Sequence, residues 1–145
     1  MNRKWVVYFD NCCYCRLFDI NAQGNVKAQT AKIRHIINNR IKSGYIIIGS
    51  PIVTAEIRKI RNVGKLKAVE KLYYGVIVDE VELSAQIITR AVSLNLMGFG
   101  KMDSFHLAAA EAAGADFLIT TDEKFIRKCQ NRNITAVKVI DPLDF

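Results

Sequence analysis

Only two prolines occur among the 145 residues, and the chain has no Gly/Ser-rich linker, internal repeat or low-complexity tract. Without such a linker, the sequence offers no natural boundary between two domains. Half of the residues are hydrophobic, which excludes a disordered chain, and the length is sufficient to bury a core. We therefore predict that residues 1–145 form a single domain.

Long apolar runs are also absent. The first apolar segment, residues 5–9, is ended by Asp10, and no run approaches the ~20 residues that span a bilayer. This segment is also too short for the core of a secretion signal. We expect no membrane association and, by default, a cytoplasmic location.

Cysteines are few: three are crowded at Cys12, Cys13 and Cys15, and the fourth is Cys129. Crowded cysteines make poor structural disulfides, and in a reducing cytosol they remain thiols. A zinc site stays open as an alternative, although no second pair of ligands follows. The sequence favours small buried side chains on a helix.

The charge is unbalanced toward the basic side. Lysine and arginine number 21 against 14 acidic residues, which gives a net charge of +7. A basic surface is suited to an anionic partner such as nucleic acid. A protein that is merely rich in lysine would have the same composition, so the charge alone decides nothing.

Apolar segments that are typical of buried strands alternate with helical patterns along the chain. The predicted strands are 5–9, 45–48, 76–78, 117–120 and 135–140. The predicted helices are 11–19, 26–41, one starting at Ser50-Pro51, 65–74, 82–97, 101–113 and 122–132, with a loop at 21–25. This alternation predicts right-handed βαβ crossovers in an α/β fold. We expect a three-layer α/β/α sandwich around a mostly parallel five-stranded sheet.

The acidic residues can be sorted by the edge of this sheet at which they should lie. Ligands of open α/β sheets bind beyond the carboxyl ends of the strands. Asp10, Asp79, Asp122 and Asp141 end or follow predicted strands and belong to that edge. Asp116 precedes a strand, so it belongs to the opposite edge and is expected to be a turn residue.

Two further acids, Glu56 and Asp103, lie near the starts of predicted helices, which face the same edge. They can therefore reach Asp10 and Asp122. Four carboxylates in one cleft repel each other unless a divalent cation is bound, and oxygen ligands favour Mg²⁺ or Mn²⁺ over zinc. Singly, each acid has a structural alternative: a helix N-cap for Asp10 and Asp122, a solvated position for Glu56, and a first-turn acid for Asp103.

The order of these motifs resembles the PIN-domain family. The segment from Asp103 to Phe125, DSFHLAAAEAAGADFLITTDEKF, has the family's Asp, helix of small residues, Gly-Ala-Asp, apolar strand and Thr-x-Asp. Phe9-Asp10-Asn11 is similar to the family's first strand and Asp, and residues 51–57 are similar to its Glu-bearing helix. Residues 140–145 resemble its tail strand, so the resemblance spans nearly the whole chain.

The resemblance implies a metal-dependent endoribonuclease, and among small stand-alone members often a VapC-type toxin that is homodimeric and neutralised by an antitoxin protein. It implies that Mg²⁺ or Mn²⁺ is held by Asp10, Glu56, Asp103 and Asp122. Thr120 would support this cluster with its hydroxyl, and Asn11 would lie behind it.

The chain also departs from the family pattern. The hydroxyl residue that usually follows the first Asp is missing, and Asn11 stands one place early. His106 lies one turn beyond Asp103 on the same helix face. It is expected either to touch phosphate or metal or, more simply, to be a hydrogen-bonded helix residue.

A basic stretch follows Glu56 directly and plausibly flanks the cleft. Its members are Arg58, Lys59, Arg61, Lys65, Lys67 and Lys71, with Glu70 as the one acid among them. Such residues would contact the RNA backbone rather than its bases. A solvated helical surface is the equal alternative.

Two other functional classes compete with the nuclease interpretation. A PIN-like fold without turnover would serve as an RNA- or protein-binding module, and the presence of all four acids disfavours it. A phosphohydrolase of another α/β type needs Asp-x-Asp after the first strand, which Asp10-Asn-Cys-Cys does not provide.

Overall fold

The computed structural model describes residues 3–19 and 22–145. A five-stranded sheet lies at its centre, with every neighbouring pair of strands parallel and the order β3-β2-β1-β4-β5. Helices pack against the sheet and complete an α/β/α sandwich, as predicted. The strands are β1 Trp5–Phe9, β2 Tyr45–Gly49, β3 Asp79–Glu80, β4 Phe117–Ile119 and β5 Lys138–Ile140.

Seven α-helices of the described residues connect or follow these strands. They are α1 Asn11–Arg16, α2 Gly24–Ser43, α3 Pro51–Ile57, α4 Val63–Val76, α5 Ala85–Leu96, α6 Lys101–Ala112 and α7 Glu123–Gln130, and a 3₁₀ turn, Pro142–Asp144, ends the fold. No helix in this part of the chain combines the length and apolarity needed to cross a bilayer.

Several helix ends follow directly from the sequence. Ser50 caps α3 by accepting a hydrogen bond from the Val53 amide, and Pro51 occupies the first helical position. Gly44 ends α2 with a φ of 76°, a left-handed conformation that glycine adopts without strain. These predicted boundaries are confirmed.

The third strand was predicted in the wrong place. Val76 is the last residue of α4 instead of the first residue of a strand, because Val69, Tyr73 and Val76 recur at helical spacing and are all buried. The strand is only Asp79–Glu80, so Asp79 lies within it, exposed, rather than beyond its end.

Smaller differences occur at other boundaries. The loop expected at 21–25 is shorter, because α2 already begins at Gly24; Asn21 lies outside the described residues. The helix expected at 82–97 begins at Ala85, after Ser84 has capped it. The fifth strand is limited to residues 138–140.

The order of the strands places a crevice between β1 and β4. From β1 the chain moves outward through β2 to β3, then returns to the other side of β1 as β4 and continues to β5. Right-handed crossovers in the two directions cover opposite faces of the sheet, so the loops after β1 and β4 diverge. Ligands of doubly wound sheets bind at this point of reversal.

Candidate metal centre

Asp10 follows β1 at the centre of the crevice. Its amide donates to the Ile119 carbonyl of β4 at 3.0 Å, which fixes the loop after β1 against the end of the neighbouring strand. Its side chain is buried and receives a hydrogen bond from Thr120 Oγ1 to Oδ2 at 2.8 Å. The Thr120 hydroxyl also accepts from the Asp122 amide at 3.1 Å and so connects the two acidic loops.

Glu56 reaches the same place from α3, and His106 reaches it from α6. His106 Nε2 contacts Glu56 Oε1 directly and lies 3.4 Å from Asp10 Oδ1. One ligand atom from each of Asp10, Glu56 and His106 lies within 4.8 Å of the other two. Two atoms that share an ion, each about 2.1 Å from it, lie about 3–4 Å apart, so this group has dimensions close to those of a metal site.

Asp103 and Asp122 stand beside this group and are more open to solvent. Asp103 lies in the first turn of α6 and is half-buried. Burial, together with the neighbouring carboxylates of Asp122 and Asp10, raises the pKa of Asp103 to about 6. The two acids are thus part of one electrostatic cluster with Asp10.

Asp122 has the structural role that was considered as its alternative. One of its carboxylate oxygens, Oδ1, accepts from the amides of Lys124 and Phe125 and caps α7. The residue is exposed, and its other oxygen makes no hydrogen bond within the described residues. Asp122 can therefore cap α7 with one carboxylate oxygen while it takes part in the cluster with the other.

The residues present fit a divalent cation. Burial and mutual repulsion disfavour several adjacent carboxylates, and the raised pKa of Asp103 records that cost. A bound cation removes it. His106 is under a related constraint: burial alone lowers its pKa, but the hydrogen bond to Glu56 and the charge of Asp10 outweigh burial and raise it.

Asn11 does not lie behind the acids as expected, and a cysteine that was not predicted near the site lies there instead. The Asn11 side chain accepts a hydrogen bond from the Cys15 thiol at 3.6 Å and makes none to the acids among the described residues. Cys12 instead approaches the cluster, with its sulfur 3.7 Å from Thr120 Oγ1 and 3.2 Å from Thr121 Oγ1. The cysteines are free, and in the part of the chain that is described none joins the group formed by Asp10, Glu56 and His106.

Two other acids next to strands do not join the cluster, although Asp141 follows a strand at the same sheet edge as Asp10. Asp116 sits at the amino edge, where it accepts hydrogen bonds from the Val6 amide and from Arg3, each at 2.8 Å. Asp141 follows β5 but accepts from Gln29 at 2.7 Å and caps the terminal 3₁₀ turn. Neither belongs to the cluster.

The sequence alone did not indicate two residues behind His106. Tyr8 OH lies 2.7 Å from His106 Nδ1 and 2.6 Å from Ser50 Oγ, and Tyr8 and Ser50 are both fully buried. The one available signal was a tyrosine within an otherwise apolar strand, since a buried phenol needs a hydrogen-bond partner.

The basic stretch is divided between a loop and a helix. Arg58, Lys59 and Arg61 are exposed after α3, the helix that carries Glu56. Lys65 and Lys67 follow on α4, where Lys65 lies 3.9 Å from Asp19 and Lys67 is exposed. The first three of these residues therefore directly follow the helix that carries Glu56, and the other two lie on the next helix.

Comparison with solved structures shows that the fold is similar to that of VapC proteins. VapBC2 from Rickettsia felis, bound to a DNA fragment from its promoter, is similar with a TM-score of 0.65 at 16% identity, covering 92% of this chain and 96% of that one.

Two further solved structures agree with this fold. VapC20 of Mycobacterium tuberculosis, a toxin that cleaves the sarcin-ricin loop, has a TM-score of 0.62 at 12% identity and covers 85% of this chain and 95% of its own. FitAcB from Neisseria gonorrhoeae has a TM-score of 0.60 at 13% identity, covering 96% and 99%. No family sequence model and no curated protein matches the chain by sequence.

Proposed function

We propose that this chain is a single PIN-like domain that acts as a metal-dependent endoribonuclease of the VapC type. The observation that carries the proposal is the convergence at one sheet edge of Asp10, Glu56, Asp103 and Asp122, which come from four different elements. Mg²⁺ or Mn²⁺ is the expected cofactor, with these four acids as its candidate ligands.

Each side chain has a role that follows from its position. Asp10 and Glu56 present carboxylate oxygens at the bottom of the crevice, and Thr120 orients Asp10 through its hydroxyl. Asp103 and Asp122 extend the negative cluster toward solvent, where a phosphodiester would enter. A divalent cation, when bound, supplies Lewis acidity that assists the attack of water on phosphorus and offsets the charge that develops.

The exposed basic residues next to Glu56 are proposed to hold the RNA backbone. Arg58, Lys59, Arg61 and Lys67 make no ion pair in the described part of the chain, so their charges are available for phosphate. Tyr74 is half-exposed and could stack on a base, whereas Tyr73 is buried and donates to Ser50 and Glu80.

The direct test is cleavage of mixed structured and unstructured RNAs with Mn²⁺, Mg²⁺ or EDTA. We expect metal-dependent cutting by the wild type and at least a hundredfold loss of rate in Asp10→Asn and Asp103→Asn. Asp116→Asn is the matched control, because it makes the same chemical change at the opposite edge of the sheet. It should retain the wild-type rate at a temperature where it is folded.

Two results would contradict the nuclease proposal. One is a wild-type protein that is folded and bound to metal but cuts neither RNA nor single-stranded DNA, which would favour the binding-module alternative. The other is cutting that survives in both Asp10→Asn and Asp103→Asn, which would point to a contaminating nuclease.

The toxin role rests on the solved structures of similar fold, two of which are VapBC complexes. We propose that an antitoxin protein neutralises this chain. Induced expression of the wild type should arrest growth of a bacterial host, and Asp10→Asn should not. Coexpression of a short open reading frame adjacent to the gene should relieve the arrest; undisturbed growth on wild-type expression would contradict the toxin role.

A homodimer is the remaining part of the proposal. Helix α5 exposes an apolar stripe, Ile88, Val92 and Leu96, with 44%, 55% and 84% of each residue accessible. These residues recur every four positions on one helix face, which is unusual for a surface that is always in water. We expect light scattering to give twice the monomer mass for the wild type and the monomer mass for Val92→Glu.

A further inference from the structure

His106 is placed against the two most buried acids by contacts on both of its ring nitrogens. Nε2 touches Glu56 Oε1 and lies 3.4 Å from Asp10 Oδ1, while Nδ1 lies 2.7 Å from the hydroxyl of Tyr8. The side chain is 1% exposed, so solvent does not compete for its nitrogens. The ring has little freedom to turn away from the acids.

A chain of buried hydroxyls holds the ring in this orientation. Tyr8 OH connects His106 Nδ1 to Ser50 Oγ, and Ser50 is itself fixed as the N-cap of α3, the helix that carries Glu56. Tyrosine and serine hydroxyls both donate and accept. The chain can therefore leave the proton on Nδ1 and the lone pair of Nε2 free to face the acids.

Positive charge is required where Nε2 meets the two carboxylates. The lone pair of an unprotonated Nε2 and the oxygens of Asp10 and Glu56 repel each other, so either a proton or a cation must lie between them. The three atoms already stand within 4.8 Å of one another. A metal-bound histidine usually makes a hydrogen bond through its other ring nitrogen, which here would be Nδ1.

We propose that His106 Nε2 is a ligand of the divalent cation, together with Asp10 and Glu56, and that the site consequently prefers Mn²⁺ or another transition metal to Mg²⁺. Imidazole nitrogen binds such metals well, whereas Mg²⁺ selects oxygen. The inference rests on the proposed function, because it concerns the same metal centre. It revises the oxygen-only ligand set that the sequence indicated.

The chain is well suited to a spectroscopic test because it contains only two histidines, His35 and His106. His35 is exposed on α2 and contacts Asn39. Mn²⁺ alone is added to the purified protein, and pulsed electron paramagnetic resonance records whether a ¹⁴N nucleus is coupled to the ion. We expect histidine modulation in the wild type and in His35→Gln, and its loss in His106→Gln.

Binding constants give a second readout that is independent of RNA. We expect His106→Gln to weaken Mn²⁺ binding about 10–100-fold and to leave Mg²⁺ binding within about threefold. Tyr8→Phe should keep the nitrogen coupling but weaken Mn²⁺ binding about tenfold, because the ring loses its hydrogen-bonded support. If His106→Gln does not fold, the wild type and His35→Gln still decide the assignment.

The possible outcomes separate this inference from the proposed function. Bound Mn²⁺ without nitrogen modulation would overturn the role of His106 and leave a carboxylate metal centre in place. Modulation that disappears in His35→Gln would overturn it as well, by assigning the ion to the surface. A wild type that binds no Mn²⁺ at millimolar concentration would overturn both this inference and the metal-dependent nuclease.

Discussion

Asp103 and Asp116 are the same residue type, yet the two edges of the sheet change their acidity in opposite directions. Asp103 lies half-buried near other carboxylates, and its pKa rises to about 6. At Asp116, burial works in the same direction, but the Val6 amide and the Arg3 guanidinium outweigh it and lower the pKa. At the carboxyl edge of the sheet, the clustered carboxylates repel each other and destabilise the metal-free fold. At the amino edge, the hydrogen bonds of Asp116 hold the start of β1.

Removing the charge of Asp103 should stabilise the protein when no metal is present. The folded state holds the proton of Asp103 more tightly than the unfolded chain does, so the charge costs stability above pH ~6, and the cost fades as the pH falls toward the ordinary value of 3.8. Because the group is half in solvent, we expect Asp103→Asn to gain about 1 kcal/mol at pH 7.5 and nothing below pH ~4.

Urea unfolding in EDTA across this pH range measures the effect. Asp144→Asn is the control, since Asp144 is an exposed acid outside the cluster. A loss of stability in Asp103→Asn at pH 7.5 would show that the acids do not repel each other there.

Removing the charge of Asp116 should have the reverse effect. Its lowered pKa means that the folded state disfavours the proton, so its contribution is present at neutral pH and is lost as the pH falls below ~3.8. Asp116→Asn should cost about 1 kcal/mol at pH 7, a modest amount because the Arg3 side chain is 70% exposed. The same unfolding experiment checks it, and a neutral result would mean that the Val6 and Arg3 contacts do not stabilise the fold.

The helices begin where capping residues stand, and some of these caps also build the centre. Ser50, Asn62, Ser84 and Asp122 each accept a hydrogen bond from a first-turn amide. Ser84 only caps α5, and it does so at an exposed position. Ser50 caps α3 at a buried position, where its hydroxyl also contacts Tyr8.

The two serine caps should therefore differ in their contribution to stability. Ser84→Ala should cost about 1 kcal/mol, the usual value for a lost N-cap. Ser50→Ala should cost about 2–3 kcal/mol, because it also removes a partner from the buried Tyr8 hydroxyl. Urea midpoints at constant m-value measure both changes, and equal losses would indicate that the Tyr8 contact is energetically neutral.

At the scale of the whole molecule, the net charge of +7 surrounds a locally acidic crevice. A net positive field of this kind favours an anionic partner such as the proposed RNA substrate, whereas adjacent carboxylates repel phosphate unless a cation lies between them. Arg58, Lys59 and Arg61 directly follow α3, the helix that carries Glu56, and they are the part of that field proposed to contact RNA.

RNA binding should fall with salt, and the slope should depend on where lysines are removed. Lys59→Ala/Lys67→Ala should reduce the slope of log affinity against log salt by about 1.4, at ~0.7 per phosphate contact on a single strand. Lys42→Ala/Lys138→Ala is the charge-matched control at the amino edge, where α2 ends and β5 begins, and should change it little. Equal effects of the two double variants would show that the basic stretch after Glu56 is not the RNA surface. Filter binding of a short RNA in EDTA avoids cleavage during the measurement.

Much of this architecture could be predicted because it depends on local rules. Alternating strands and helices define the sheet, and the position of an acid before or after a strand assigns Asp116 and Asp10 to opposite edges. Ser50-Pro51 marks a helix start with little ambiguity. Local rules failed for the third strand. Val76-Ile-Val78 has the composition of a strand, but Val76 completes the buried face of α4.

The environment of His106 could not be predicted because it depends on distant contacts. Glu56 is 50 positions away and Tyr8 is 98 positions away in sequence. A histidine on an Ala-rich helix gives no indication of which groups will meet either nitrogen. The acids could be assigned to an edge by rule, but the polar contacts among them required the packed structure.

The central position of β1 also affects how the protein is made. This strand leaves the ribosome before the other four, yet its two neighbours are β2 and β4, and Asp10 meets Thr120 across 110 positions. Contacts between such distant segments form late in folding. An unfinished nascent chain therefore contains an unpaired apolar strand, which favours aggregation or chaperone binding. It has no assembled centre, so any activity begins only after Asp122 has been translated.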